Sequence, residues 1–140
     1  MRVGTSGVPM HPLHNLTLFV GRILIAGLFI FDAIVMVRSW DANAAYMESF
    51  GIPGVLLPAA ALCQLVGGIM IVFGFWTRLV ALAFAAFCVA TAFIFHRNLA
   101  NTGEIVQAGK DLAIAGGFLF LSSTGPGAWS LDRVNQRLPR

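Results

Sequence analysis

The chain has 140 residues, of which 58% are hydrophobic and only 11% charged, with a formal net charge of +3 and a mean hydropathy of +0.82. Soluble domains carry roughly 25% charged residues, so this balance excludes an ordinary water-facing surface and points to lipid as the solvent. The basic residues sit singly at the ends of apolar runs, which excludes a nucleic-acid footprint and suits orientation in a membrane.

Residues 1–15 (MRVGTSGVPMHPLHN) lack both periodicity and an apolar core segment, so they read as a flexible cytoplasmic lead rather than a cleavable signal. His11 and His14 are spaced for metal binding on a helix, but Pro12 lies between them and favours a solvated tail. A first span is expected from Leu16 to Val37. Arg22, near its start, is long enough to snorkel to the interface. Asp32 is short and lies well inside the span, where an ionisable group normally faces a bundle interior and a partner.

The connection RSWDANAAYMESFGIP places Trp40 and Tyr46 at headgroup level and predicts a short surface helix over Ala44–Phe50, broken by Gly51 and Pro53. The second span is the clearest: no charge falls between Leu56 and Thr77, and about 20 apolar residues at ~1.5 Å each cross a ~30 Å hydrocarbon layer. It carries Gln64 and the adjacent Gly67 and Gly68, which permit close helix approach. Only Thr77-Arg78 separates it from a third span, Leu79–Phe95, so the two form a tight antiparallel hairpin. The small residues Ala83, Ala86 and Ala90 make self-association of that span plausible.

Residues 98–109 read as a loop. A fourth span runs from Lys110 to Ser123, or starts near Glu104, which would carry Lys110 and Asp111 into the bundle. Gly125-Pro126-Gly127 stops it, and a basic tail anchored by Trp129 follows. The fold class is therefore all-α, an integral-membrane four-helix bundle: lead 1–15, membrane domain 16–127, cytoplasmic tail 128–140. Arg2, Arg22, Arg78, Arg133, Arg137 and Arg140 fall on the side of both termini, against Arg38, Arg97 and Lys110 on the other, so both termini are expected in the cytoplasm.

Counted along the helices at ~1.5 Å per residue, Asp32 lies about 21 Å above the cytoplasmic end, and Gln64 and Thr91 about 18 Å. The three are expected to form one polar layer in the outer half of the bundle. Two readings follow. The layer is interhelical glue, with the Gln64 amide donating to Asp32, or it is a proton- or quinone-handling site. Asp32, Gln64, His96, Lys110 and Asp111 are the candidate site residues. His96, beside Arg97, reads as an interface residue rather than a ligand. Cys63 and Cys88 lack metal-site or disulfide spacing, and a redox pair would require helix packing to bring them together. No metal site is expected, nor haem, for which a second His at matching depth is missing.

FGFWTR after a glycine-bearing span, GIPG before it, and KDLAIAGGFLFLSSTGPGAWSLD near the end resemble the DoxX family of small four-helix bacterial membrane proteins. The likeness covers roughly residues 18–134, and Gly125, Pro126, Gly127, Ser130 and Asp132 are its most specific part. The resemblance implies a bacterial inner-membrane protein. Some relatives are subunits of thiosulfate:quinone oxidoreductase, others belong to redox or thiol-stress complexes, and most have no established reaction. Many members carry a Lys late in the first span and a Glu just before the glycine pair, positions occupied here by Met36 and Gln64. Loss of both charges together fits an ion pair whose single loss would strand a buried charge.

The first functional expectation is thus a subunit or stand-alone component of quinone-linked redox or thiol and oxidative-stress metabolism. The alternatives are a non-enzymatic scaffold recruiting a soluble redox partner or, less readily, a small transporter. No nucleotide, flavin, haem or iron–sulfur motif is evident, so no cofactor is built in and quinone is the candidate ligand. Expected partners are the lipid bilayer, quinone, and either a soluble redox protein or a second copy of the chain, with no nucleic acid.

Overall fold

The computed structural model describes residues 12–98 and 100–136. Arg2, His11, Arg137 and Arg140 lie outside the described residues. The chain is all-α: α1 (Pro12–Arg38), α2 (Trp40–Ser49), a single 3-10 turn (Gly54–Leu56), α3 (Leu57–Phe73), α4 (Thr77–Phe95), α5 (Thr102–Thr124) and α6 (Leu131–Asn135). Four segments of 27, 20, 19 and 23 residues, built on α1, α3, α4 and α5, are long and apolar enough to span a membrane. Their outward faces carry large apolar side chains, among them Leu24, 71% exposed, and Phe120, 76% exposed, as lipid contact requires and water would not tolerate.

Several boundaries differ from expectation for local reasons. α1 is already helical at Pro12, the first described residue, and proline is tolerated in a first helical turn, where no backbone donor is needed. Residues 12–15 are therefore helical, and His14 is exposed on that helix. The surface helix begins at Trp40 rather than Ala44. The break between the second and third spans is Gly74–Trp76, with Gly74 at φ +70° closing α3 and Trp76 at φ +48° opening α4. On α5 the earlier start holds: Asn101 Oδ1 accepts from Gly103 N at 2.9 Å and caps a helix that begins at Thr102, so most of the expected loop is helical.

The long helices pair as α1 with α3 and α4 with α5. Phe29, Phe84 and Phe118 join the pairs, with ring centroids 4.6, 5.3 and 5.0 Å apart, inside a core that includes Ala26, Ile71, Ala85 and Ala115. The glycine pair sets the distances. A Cβ on Gly67 would meet the Phe84 ring at 2.8 Å, and one on Gly68 would meet Ile30 Cγ1 at 2.7 Å and the Ala26 carbonyl at 3.3 Å. Gly67 thus admits an aromatic ring from α4, and Gly68 lets α3 approach the α1 backbone.

The end of the bundle holding the α3–α4 corner is closed by the C-terminal segment. Asp132 accepts from Trp76 N at 2.8 Å and Thr77 N at 2.9 Å, capping α4 across 55 residues of sequence. Ser130 Oγ donates to the Gly127 carbonyl at 2.8 Å and caps α6. Beneath this segment lies Arg22, 1% exposed and donating to the Trp129 carbonyl. The snorkelling expected of Arg22 is thereby corrected: the returning chain covers it, and its Nε and Nη1 have no partner among the described residues.

Candidate functional site

The opposite end of the bundle holds a cavity of about 580 Å³ between the two helix pairs and beneath α2. That volume lies within the usual ~300–1,000 Å³ of small-molecule sites. Its walls are mostly apolar, supplied by residues such as Leu28 and Phe29 on α1, Leu57 on α3, Phe87 on α4 and Ile114 on α5. α2 covers it because Tyr46 stacks on Phe95 at 5.5 Å and Phe50 meets the same ring edge-on at 5.3 Å. An apolar chamber with convergent polar groups at one end suits an amphipathic ligand.

The polar groups come from every spanning helix. Gln64 is 2% exposed; its Nε2 faces the Met36 sulfur at 3.6 Å, and its Oε1 has no partner among the described residues. Thr91 Oγ1 donates to the Cys88 carbonyl at 2.9 Å and lies 3.3 Å from Asp111 Oδ2. The same carboxylate oxygen is 3.7 Å from His96 Nε2, while His96 Nδ1 is 2.8 Å from Glu104 Oε2. Tyr46 looks onto this cluster from α2. Burial, with the negative charges of Glu104 and then Asp111 added, raises its phenol above the ordinary value of 10.0.

The expected polar layer exists, with one partnership corrected. Asp32, Gln64 and Thr91 line one cavity, as the depth count requires. Gln64 does not donate to Asp32: its amide nitrogen is turned to Met36, and Asp32 is exposed. Met36 and Gln64, the two positions that the resemblance links to an ion pair, therefore touch in space, here as a thioether and an amide. Asp111 enters the cavity because α5 starts early, whereas Lys110 is exposed and outside it. His96 lies between two carboxylates, within hydrogen-bond distance of Glu104 and farther from Asp111.

The His96–Glu104 pair was not legible in the sequence, where Glu104 stands either in the 98–109 loop or at an earlier start of the fourth span, and neither placement says which way its side chain turns. The signal for the earlier start was Asn101, a good helix cap three residues before Glu104. Cys88 is buried at the cavity and Cys63 is exposed on α3, both as free thiols, so packing gives the two cysteines different environments. Among the described residues no three His, Cys, Asp or Glu side chains form a metal-holding group. Ala83 and Ala86 are exposed on α4, and Ala90 lines the cavity.

Four spanning helices, an apolar outward face and a polar-ended chamber define a small multi-pass membrane protein with a ligand-sized interior. The family model described as DoxX matches residues 17–97, more than half of the sequence. This chain belongs to the DoxX family. It is 42% identical over 125 residues to "Inner membrane protein YqjF" of Escherichia coli (strain K12), covering 89% of this chain and 96% of that protein. Over 123 residues it is 37% identical to "Inner membrane protein YphA" of the same organism, covering 83% and 88%. No solved structure is significantly similar. The chain is accordingly a multi-pass inner-membrane protein.

Proposed function

We propose that the outer cavity binds a quinone and that the protein serves quinone-linked redox metabolism in the inner membrane. The observation that carries this reading is Gln64: a buried side chain lining a mostly apolar chamber, whose amide oxygen has no partner among the described residues. An unpaired buried acceptor is costly, about 1–3 kcal/mol, and a ligand hydroxyl removes that cost. A quinol hydroxyl can donate to Oε1; with the amide turned over, Nε2 donates to a quinone carbonyl instead. The isoprenoid portion suits the leucine and phenylalanine walls, and Thr91, Asp111 and His96 supply further polar contacts to the ring.

Electrons would pass to or from a partner protein, because amino-acid side chains alone do not carry this chemistry. The arginine distribution supports a cytoplasmic location for both termini, with the cavity towards the periplasmic face. Titration of the purified protein with a short-chain ubiquinone tests the reading. Saturable, near-stoichiometric binding is expected, weakened about tenfold by Gln64→Leu, the equivalent of one hydrogen bond. Absence of saturable binding, or equal affinity in Gln64→Leu, would instead favour a scaffold that recruits a redox protein without holding quinone.

A further inference from the structure

We infer that Glu104, His96 and Asp111 form a proton relay joining the aqueous outer face to the interior cavity. The inference rests on the cavity as a ligand site and deepens that reading, but its first test needs no ligand. Three side chains from two elements stand in sequence. Glu104, on the first turn of α5 at the end of the bundle, is 33% exposed; His96, at the end of α4, is 13% exposed; Asp111, two turns further along α5, is 18% exposed and lines the chamber. His96 turns one ring nitrogen to each carboxylate, Nδ1 to Glu104 at 2.8 Å and Nε2 to Asp111 at 3.7 Å.

That two-sided arrangement is what a shuttle needs. An imidazole accepts a proton at one nitrogen and releases another from the opposite one. For a proton leaving the cavity, the 3.7 Å gap closes to hydrogen-bond length by a small side-chain movement, the Asp111 O–H breaks and a His96 Nε2–H forms. The His96 Nδ1–H then breaks, a Glu104 O–H forms, and Glu104 passes the proton to water. Reversal of each transfer carries a proton inward. The pair with Glu104 alone engages only one of the two ring nitrogens. Here the second nitrogen faces a carboxylate that lines an apolar chamber, and Thr91 Oγ1 lies 3.3 Å from the Asp111 oxygen that faces the ring.

The groups facing this path are few. Tyr46 approaches from α2, Cys88 and Thr91 from α4, Gln107 from α5 and Asp32 from α1. Of the acids, Asp32 is exposed, and no imidazole touches it among the described residues. It offers no second route through a histidine.

The test follows the carboxylic C=O stretch of Asp111, assigned by its absence in Asp111→Asn, after a pH jump on the full chain in nanodiscs. In wild type the band relaxes quickly. His96→Ala is expected to slow it about tenfold or more, in keeping with the weight of a positioned acid–base group. Added imidazole restores the rate, which a lost packing contact would not allow. Glu104→Gln, an isosteric change at a half-buried position, slows relaxation in the same direction. Wild-type relaxation in both variants, or no rescue by imidazole in a folded His96→Ala protein, overturns the relay. Short-chain ubiquinone affinity is measured alongside. Loss of quinone binding with an intact relay refutes the quinone reading alone, and a broken relay with intact binding refutes the relay alone.

Discussion

Replacing Asp132 by alanine perturbs the corner on which closure of the α3–α4 end of the bundle depends. Its carboxylate accepts from Trp76 N at 2.8 Å and Thr77 N at 2.9 Å, the first two donors of α4, at a point where Trp76 holds a left-handed backbone. Hydrogen bonds to a charged group contribute about 1.5–3 kcal/mol each, but Trp76 is 60% exposed, so water recovers part of the loss. Truncating a helix cap alone costs about 0.5–2 kcal/mol. Asp132 is also the carboxylate whose charge acts on the buried Arg22 guanidinium. Together these place the loss at about 2–3 kcal/mol, or about 6–9 °C in melting temperature at roughly 3 °C per kcal/mol. Heating followed by size-exclusion chromatography measures it, and tryptophan emission reports locally through Trp76 and Trp129. Asp132→Asn, which keeps one acceptor, should lose about half as much. An Asp132→Ala protein that melts with wild type would refute the capping argument and the assigned role of the C-terminal segment.

Three further outcomes follow from the geometry. Gly68→Ala should lower the melting temperature by several degrees, because the new methyl meets Ile30 and the Ala26 backbone. Gly116→Ala, with nothing within 4 Å, should be neutral or stabilising. Met36→Lys or Gln64→Glu alone should each destabilise by about 2–4 kcal/mol, while the double variant should recover a large part of the sum, as a double-mutant cycle would show. The chain has a single tyrosine, so its phenolate absorbance reads Tyr46 directly. Ionisation should begin above the ordinary 10.0 and move down in Glu104→Gln, whose removed charge is one cause of the shift. The folded state keeps that proton to higher pH than the unfolded chain, so stability falls as pH rises from about 10 through the folded value. A phenolate curve identical in wild type and Glu104→Gln would contradict the placement of α2 over the cluster.

The spans were legible because membrane crossing imposes a length and an apolar composition that few other structures share. The polar layer was legible for a related reason: helical rise is constant, so counting residues from the membrane edge located Asp32, Gln64 and Thr91 at a common level. Counting depth says nothing about rotation. The choice of Met36 rather than Asp32 as the neighbour of Gln64 depends on which way α1 turns, and Gly68 sets that by admitting Ile30 and the α1 backbone. Arg22 was read as a snorkelling side chain because its cover comes from residue 129, more than a hundred positions away. The Gly125–Asp132 block was the most specific part of the family resemblance before its purpose was visible. Its conspicuous residues are those that turn the chain back, cap α6 and cap α4.

The central claim is that the outer cavity holds a quinone ring against Gln64. Cross-linking with a photoreactive short-chain quinone, followed by mass spectrometric mapping, tests it most directly. Labelling is predicted on cavity-lining segments around residues 28–36, 57–64 and 87–96, suppressed by excess ubiquinone and reduced about tenfold in Gln64→Leu. Labels spread over lipid-facing positions such as Leu24, Phe93 and Phe120, unaffected by competitor or by Gln64→Leu, would contradict it.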